Sequence, residues 1–255
     1  MPALEGNMDG TQAIRRASAI LKYISLNPSV GVTLNQVCES TDLSRSTAHR
    51  ILKCLVQEKL VNQSDDARRY TIGRLVYELG LAVRAWQEDI LNWRPVLEMV
   101  SGETGVTVYL MGRSGNESIC LDKIEGSAVV RVIPVEVGQR RPLGVGAGAA
   151  ALLASVSDEE CDQIIQSIAP HLGRHSSLKP AILNEIIRKT RATGFAESHS
   201  HVVQGVYGLG IAIRSGKGPA RLALSLAAHE SIAKKSAIQD WKECLQKAAK
   251  QARSR

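Results

Sequence analysis

The stretch TDLSRSTAHRILKCL, Thr41 to Leu55, sets a run of small and basic residues directly ahead of an apolar stripe. Ser44 is a helix-capping residue type, and Ala48, Ile51, Leu52 and Leu55 follow at i, i+3, i+4 and i+7, which gathers them on one face of an α-helix. The opposite face carries Arg45, Ser46, His49, Arg50 and Lys53, and no Asp or Glu falls between Ser44 and Gln57. Such a helix can be anchored on its own protein while its basic face meets a polyanion. It can equally be an ordinary solvated helix, so the flanking elements decide.

Upstream, Ile14, Ala17, Leu21 and Ile24 recur at helical spacing and predict a first helix, stopped by NPSVG from Asn27. Thr33 with Gln36 three residues later makes a capping box for a short helix carrying Leu34, Val37 and Cys38 inward, and a break follows over Ser40 to Leu43. Downstream, KLVNQSDDARRYTI from Lys59 reads as a hairpin: a short apolar run, a polar turn with Asp65 and Asp66, two arginines, then Tyr70, Thr71 and Ile72. Three helices and a two-stranded wing describe a winged helix-turn-helix, whose second motif helix lies in the DNA major groove. On that reading Arg45 reaches guanine edges or phosphate. Ser44, Ser46 and Thr47 sit where the helix N-terminus favours phosphate, and His49, Arg50 and Lys53 extend the surface. Arg68 and Arg69 on the wing face the adjacent backbone or minor groove, their field diluted by Asp65 and Asp66.

Whole-chain properties permit this without proving it. At 255 residues, two modest domains are expected, and a single Phe makes their cores aliphatic. A net charge of +7 suits a polyanionic partner. Yet Lys and Arg exceed acids by 11 to 8 up to Arg84 and by 21 to 17 beyond it, so the excess is spread and any patch must be local. Cys38, Cys54, Cys120, Cys161 and Cys244 are odd in number and never in a Cys-x-x-Cys pair, which disfavours disulfides and a zinc module and fits a reducing cytoplasm. MPALEGNMDGTQ lacks an export core, and no apolar run approaches about 18 residues, so neither secretion nor a membrane span is expected.

The domain plan expected is a disordered leader over 1–10, a winged helix-turn-helix over 11–74, a linker helix over 75–89 and a second domain over 90–255. The linker stripe is Leu75, Leu79 and Ala82, running to about Ala85, with a charged connection from Trp86 to Asn92. Beyond it come a helix at about 90–103 and strand runs VTVYLMGR, SICLDKI and VVRVIPV. Then follow the Gly-rich GVGAGAAALLA from Gly144, helices around Asp158 to Ile168 and Lys179 to Thr193, and strands LGIAIR and RLALSLA. A basic amphipathic helix from Ile232 closes the chain, its patchy apolar face (Ala233, Ile238, Trp241, Leu245, Ala248) docking on its own domain. The fold class is α+β with an antiparallel sheet in the second domain.

At LNQVCESTDLSRSTAHRILKCLVQEKLV and RRYTIGRLVYELG the chain resembles the IclR family of bacterial transcriptional regulators, which carry a Ser-Thr-Ala-His-Arg run in the recognition helix. The likeness continues through LDKIEG, VGQRRPLGVGAGAAALLA, TGFAESHSHVVQGVYGLGIAI and LALSLAA, covering roughly residues 11 to 250. It implies a C-terminal, GAF-like α/β effector-binding domain and dimers or dimers of dimers on a pseudo-palindromic operator. It also implies a small-acid effector held by positions that align here with Val145, Gly146, Ala147, Ser198, Gly208, Ser225 and Ala227. Ser198, Gly208 and Ala227 stand where the family often has Asp, Cys and a second Ser, and GVGAGAAA replaces a more polar loop. These departures predict a roomier, more apolar pocket and an aromatic or branched acid.

The residues themselves support a pocket at Gly144 to Gly148, because closely spaced glycines let a ligand approach bare backbone and the Ala-rich helix behind them presents free N–H groups to an anion. Tight packing explains the same glycines. Tyr109, Met111 and Leu121, on predicted strands, line the pocket or fill plain core. A dinucleotide fingerprint is formally present in Gly144, Gly146 and Ala149, but Pro142 precedes it in place of a strand end, and Asp158, Glu159 and Glu160 fall too early to bind a ribose. ESHSHVVQG offers Glu197, His199 and His201 in a loop without a firm third ligand, so no metal is expected. No cofactor is expected either, and no nucleophile has an evident base, so the chain does not read as an enzyme.

Overall fold

Helix α1 (Gln12–Ser25) buries Ile20 and Ile24 against α2 (Leu34–Thr41) and α3 (Arg45–Gln57). Its inward stripe is rotated from the one the spacing suggests: Ile14 is 67% exposed, while Ala17 and Leu21 are partly buried. The computed structural model describes residues 11–27, 30–64, 68–128, 132, 134–173, 177–214, 216 and 218–251. The expected leader over 1–10, and Asp65 and Asp66 in the wing turn, lie outside them. The chain divides into two compact units, Met1–Gln87 and Glu88–Arg255.

In the first unit, Thr33 and Gln36 form the capping box in full, the Thr33 amide donating to Gln36 Oε1 at 2.8 Å. Asp42, with φ +53°, turns the chain out of α2 in the left-handed region that Asp tolerates, and two residues later Ser44 Oγ accepts from the Thr47 amide at 3.3 Å to open α3. Ala48, Leu52 and Leu55 of α3 enter a core with Ile20, Ile24, Val37, Val61 and Tyr70. Strands β1 (Val61–Gln63) and β2 (Tyr70–Ile72) pair antiparallel, Val61 with Ile72, and a bridge from Val32 to Tyr70 ties the wing to the approach to α2.

The single linker helix expected from Leu75 is two helices. Helix α4 (Arg74–Gly80) stops at a glycine, a poor helix former. Helix α5 (Arg84–Thr104) then runs straight through Trp86 to Asn92. The charges that suggested a connection there belong to a helix face, since Asn92 is exposed while Trp93 and Leu97 are buried.

The second unit is built on a six-stranded sheet in the order β5-β4-β3-β8-β7-β6, with every neighbouring pair antiparallel. Its strands are β3 (Thr107–Ser114), β4 (Glu117–Ile124), β5 (Arg140–Pro142), β6 (Ala196–His199), β7 (Val206–Ile213) and β8 (Leu222–His229). Between β5 and β6 the chain forms α6 (Ala147–Ala154), α7 (Asp158–Leu172) and α8 (Pro180–Thr193), and α9 (Lys235–Gln251) follows β8. All eight residues of α6 are buried, between β7, β8 and α8. Helix α9 docks Trp241, Cys244, Leu245 and Ala248 against β7 and β8.

Two local expectations change. Of the predicted strand VVRVIPV, Val129, Val130, Arg131 and Ile133 lie outside the described residues, and Val132, Pro134 and Val135 are in no strand. The short β5 forms instead, from Arg140-Arg141-Pro142, a sequence without β-branched residues. Glu197, Ser198 and His199 lie in β6, not in a loop, because pairing with β7 overrides a weak local pattern. Among the described residues no helix is long and apolar enough to cross a membrane, and all five cysteines are free.

Candidate nucleic-acid interface and ligand cavity

Capping by Ser44 fixes where α3 begins, and so which residues its outer face presents. Arg45, Ser46, His49, Arg50 and Lys53 are all exposed, whereas Thr47 is partly buried and its hydroxyl accepts from Ser44 Oγ at 2.9 Å. Arg45 Nη1 donates to Asn35 Oδ1 on α2, which holds the guanidinium beside the helix-turn-helix corner. Arg45, His49 and Arg68 line one groove together with Asn35, Gln63 and Tyr70. Burial pushes the Tyr70 hydroxyl up in pKa, opposed by the nearby Arg45 charge. Thr47 and Arg50 face a different groove, along α1. Arg68 is exposed in a left-handed conformation at φ +47°. Arg69 is partly buried, with Nη1 donating to the Gly31 carbonyl at 3.1 Å, so it also braces the wing.

In the second unit, strand register brings distant segments together. One row across the sheet is Ser198, Gly208, Ala227 and Thr107; the next is Gly210, Ser225 and Tyr109. Helix α6 starts directly over these rows. A Cβ on Gly210 would lie 2.5 Å from the Ala147 carbonyl oxygen, and one on Gly148 would lie 2.7 Å from Met111 Cγ and 2.8 Å from Ser225 Oγ. Two glycines thus serve close packing, and they let the helix N-terminus sit on the sheet. Gly146 is different: it caps α6 at φ +95°, with no side-chain cap and nothing within 4 Å of a built Cβ. No side chain caps the first turn, and Gly146 to Ala149 line an open space beside it.

That space is a narrow cavity of about 60 Å³ that opens at its mouth to solvent. Tyr109, Met111, Val145, Gly146, Ala147, Ser198, Gly208, Ser225 and Ala227, all selected from the sequence, line it. Leu121 does not. It is the residue of β4 without a partner at a bulge, where Leu110 pairs with Asp122 and Met111 with Cys120, and such an insertion re-aims side chains. Cys120 joins the surrounding core, burial pushing its thiol up to about 12.

Arg141 also lines the cavity. Sequence reasoning passed over it, although two adjacent arginines before Pro142 must point to opposite faces of any strand. Arg140 pairs with Glu117 at 3.1 Å, while Arg141 turns inward and donates to the Pro134 carbonyl. The pKa of its guanidinium is lowered by burial, opposed by Tyr109 and Cys120. Pro134 and Val135 and the segment carrying Val202, Val203 and Val206 supply further walls that no motif marked. Glu197, considered with His199 and His201 for a metal, accepts from Tyr207 Oη at 2.9 Å and pairs with Lys242 at 2.7 Å.

An exposed recognition-type helix with a wing, joined in one chain to a unit enclosing a small-molecule cavity, defines a DNA-binding transcriptional regulator. The comparisons with known proteins make that specific. Residues 13–65 match the IclR helix-turn-helix domain, and residues 87–254 match the C-terminal domain of the bacterial transcriptional regulator IclR. The chain belongs to the IclR family of transcriptional regulators, which are not enzymes. It is 26% identical to the HTH-type transcriptional regulator KipR of Bacillus subtilis over 86% of this chain and 87% of that one. In fold it is similar to a putative IclR transcriptional regulator from Silicibacter, with TM-score 0.80, 20% identity and 95% coverage of both chains. It is also similar to an IclR homologue from Microbacterium hydrocarbonoxydans complexed with 4-hydroxybenzoate, with TM-score 0.72 and 19% identity over 96% of this chain and 100% of that one.

Proposed function

We propose that this regulator binds a small carboxylic acid of aromatic or branched character in the cavity below α6, and that occupancy changes its affinity for an operator controlling uptake or breakdown of such an acid. The observation that carries this reading is the uncapped start of α6 opening between Ser198 and Ser225, with Met111, Val135, Val145 and Val206 as walls. The helix N-terminus attracts a carboxylate, and the apolar walls favour a body larger than a two-carbon acid. The 4-hydroxybenzoate bound by the Microbacterium homologue is consistent with that class.

On the DNA side, Ser44, Arg45, Ser46, Thr47, His49, Arg50 and Lys53 form the reading surface, with Arg68 and Arg69 on the wing. The protein acts in the cytoplasm as a homodimer or dimer of dimers. Tyr77, Leu79, Leu81 and Val83, between 46% and 69% exposed on α4 and the turn after it, form an apolar strip that a second copy would cover. Two reading helices one turn of DNA apart then select a pseudo-palindrome.

Calorimetric titration of the full chain with benzoate, 4-hydroxybenzoate, branched short-chain acids, pyruvate and glyoxylate tests the ligand class. Binding by aromatic or branched acids is expected. Binding by pyruvate or glyoxylate alone contradicts it.

A further inference from the structure

We infer that the effector is a dicarboxylate, its second carboxylate taken by Arg141 at the far end of the cavity from α6. This rests on the cavity being the effector site, and adds a second charged pole to it.

The two ends of the cavity differ in chemistry. At one, Ser198 and Ser225 are 8% and 7% exposed, line the cavity, and have no hydrogen-bond partner among the described residues. Beside them is the uncapped first turn of α6. The oxygens of Ser198 and Ser225 are not sealed off from the cavity, so a ligand there can take up hydrogen bonds that water otherwise makes.

At the other end stands Arg141. Arg94, Arg113, Arg140, Arg188, Arg191 and Arg221 in this unit each reach an acid. Among the described residues, Arg141, partly buried, meets the Pro134 carbonyl and the neutral Tyr109 and Cys120, and the acid near those two, Glu136, is already paired with Lys123. A guanidinium held in low-dielectric surroundings without a counterion favours an anionic ligand, and its planar fork matches a carboxylate.

One carboxylate cannot serve both poles. Arg141 pairs with Ser118, which pairs with Arg113 of β3; Ser225 pairs with Tyr109, four residues along the same strand. The two backbones are also three strands apart, about 14 Å across the sheet and about 13 Å along it at ordinary strand spacings. The length of the Arg141 side chain shortens that gap without closing it. Between the poles the lining is Tyr109, Met111, Val135 and Val145. The ligand that fits has two anionic ends separated by a rigid apolar body, as in a benzene-1,4-dicarboxylate.

Calorimetry on the full chain with benzene-1,4-dicarboxylate and 4-methylbenzoate, which share a ring and one carboxylate, tests the second pole. The diacid is expected to bind about ten- to a hundredfold tighter, the range of one charge-assisted pair. Arg141→Leu should erase that preference at an unchanged urea midpoint, which shows that the variant is folded; Arg141→Lys should restore part of it. Equal binding of the two acids, or an Arg141→Leu variant that loses both together, overturns the second pole while leaving a monoacid site intact. Binding of neither acid by the parent overturns the diacid and counts against the aromatic branch of the broader reading as well.

Discussion

Arg45 and Arg68 line the same groove in the first unit, but the roles proposed for them on DNA differ. Arg45 leaves the first turn of α3 and is steadied by Asn35 before any DNA arrives, which suits a base contact whose geometry must be fixed. Arg68 is exposed on the wing and suits a phosphate. Arg45→Ala should therefore cost about 1–3 kcal/mol against the preferred duplex and relax the choice of base. Arg68→Ala should weaken all duplexes alike and reduce the slope of log K against log salt by about 1. Salt titrations by fluorescence anisotropy separate the two, and variants that both bind like the parent would refute the assignment. The exposure of Arg45, Ser46, His49, Arg50 and Lys53 was legible from the helical spacing. The bracing contact of Arg69 was not, because its acceptor, the Gly31 carbonyl, is a backbone atom 38 residues away that no local pattern signals.

Among the elements, α6 decides what the second unit can do. Its eight residues are uniformly apolar or small, so it has no amphipathic stripe and is buried all round. Its N-terminus meets the sheet only because β7 carries glycine where the helix passes. Gly210→Ala would force a methyl group against the Ala147 carbonyl and is expected to lower stability by about 2 kcal/mol or more, read as an earlier urea midpoint. An unchanged midpoint would show that α6 can retreat from the sheet. The motif GVGAG signalled a helix start, and alternation marked most strands. Harder to see were β5 and β6, which exist through pairing with β4 and β7; the bulge at Leu121, one residue of slack between two strands; and the break at Leu81 to Val83, which the stripe of Leu75, Leu79 and Ala82 runs across although Gly80 marks it. Arg141 was hidden for the same reason, since only its strand shows which of two arginines points inward.

At the scale of the molecule, each unit has its own core, and each carries one half of a regulator: a surface for duplex and a cavity for an effector. Neither half implies the sign of the coupling; that sign is set by which state of the protein the effector prefers. The central claim is that the acid-free face of α3 reads DNA sequence. Selection of the full chain against a random duplex library at moderate salt tests it most directly. An enriched inverted repeat is expected, its half-sites about one helical turn apart, and Arg45→Ala should blur it. Recovery of duplexes with no sequence in common, or an enriched site indifferent to Arg45, would contradict the account.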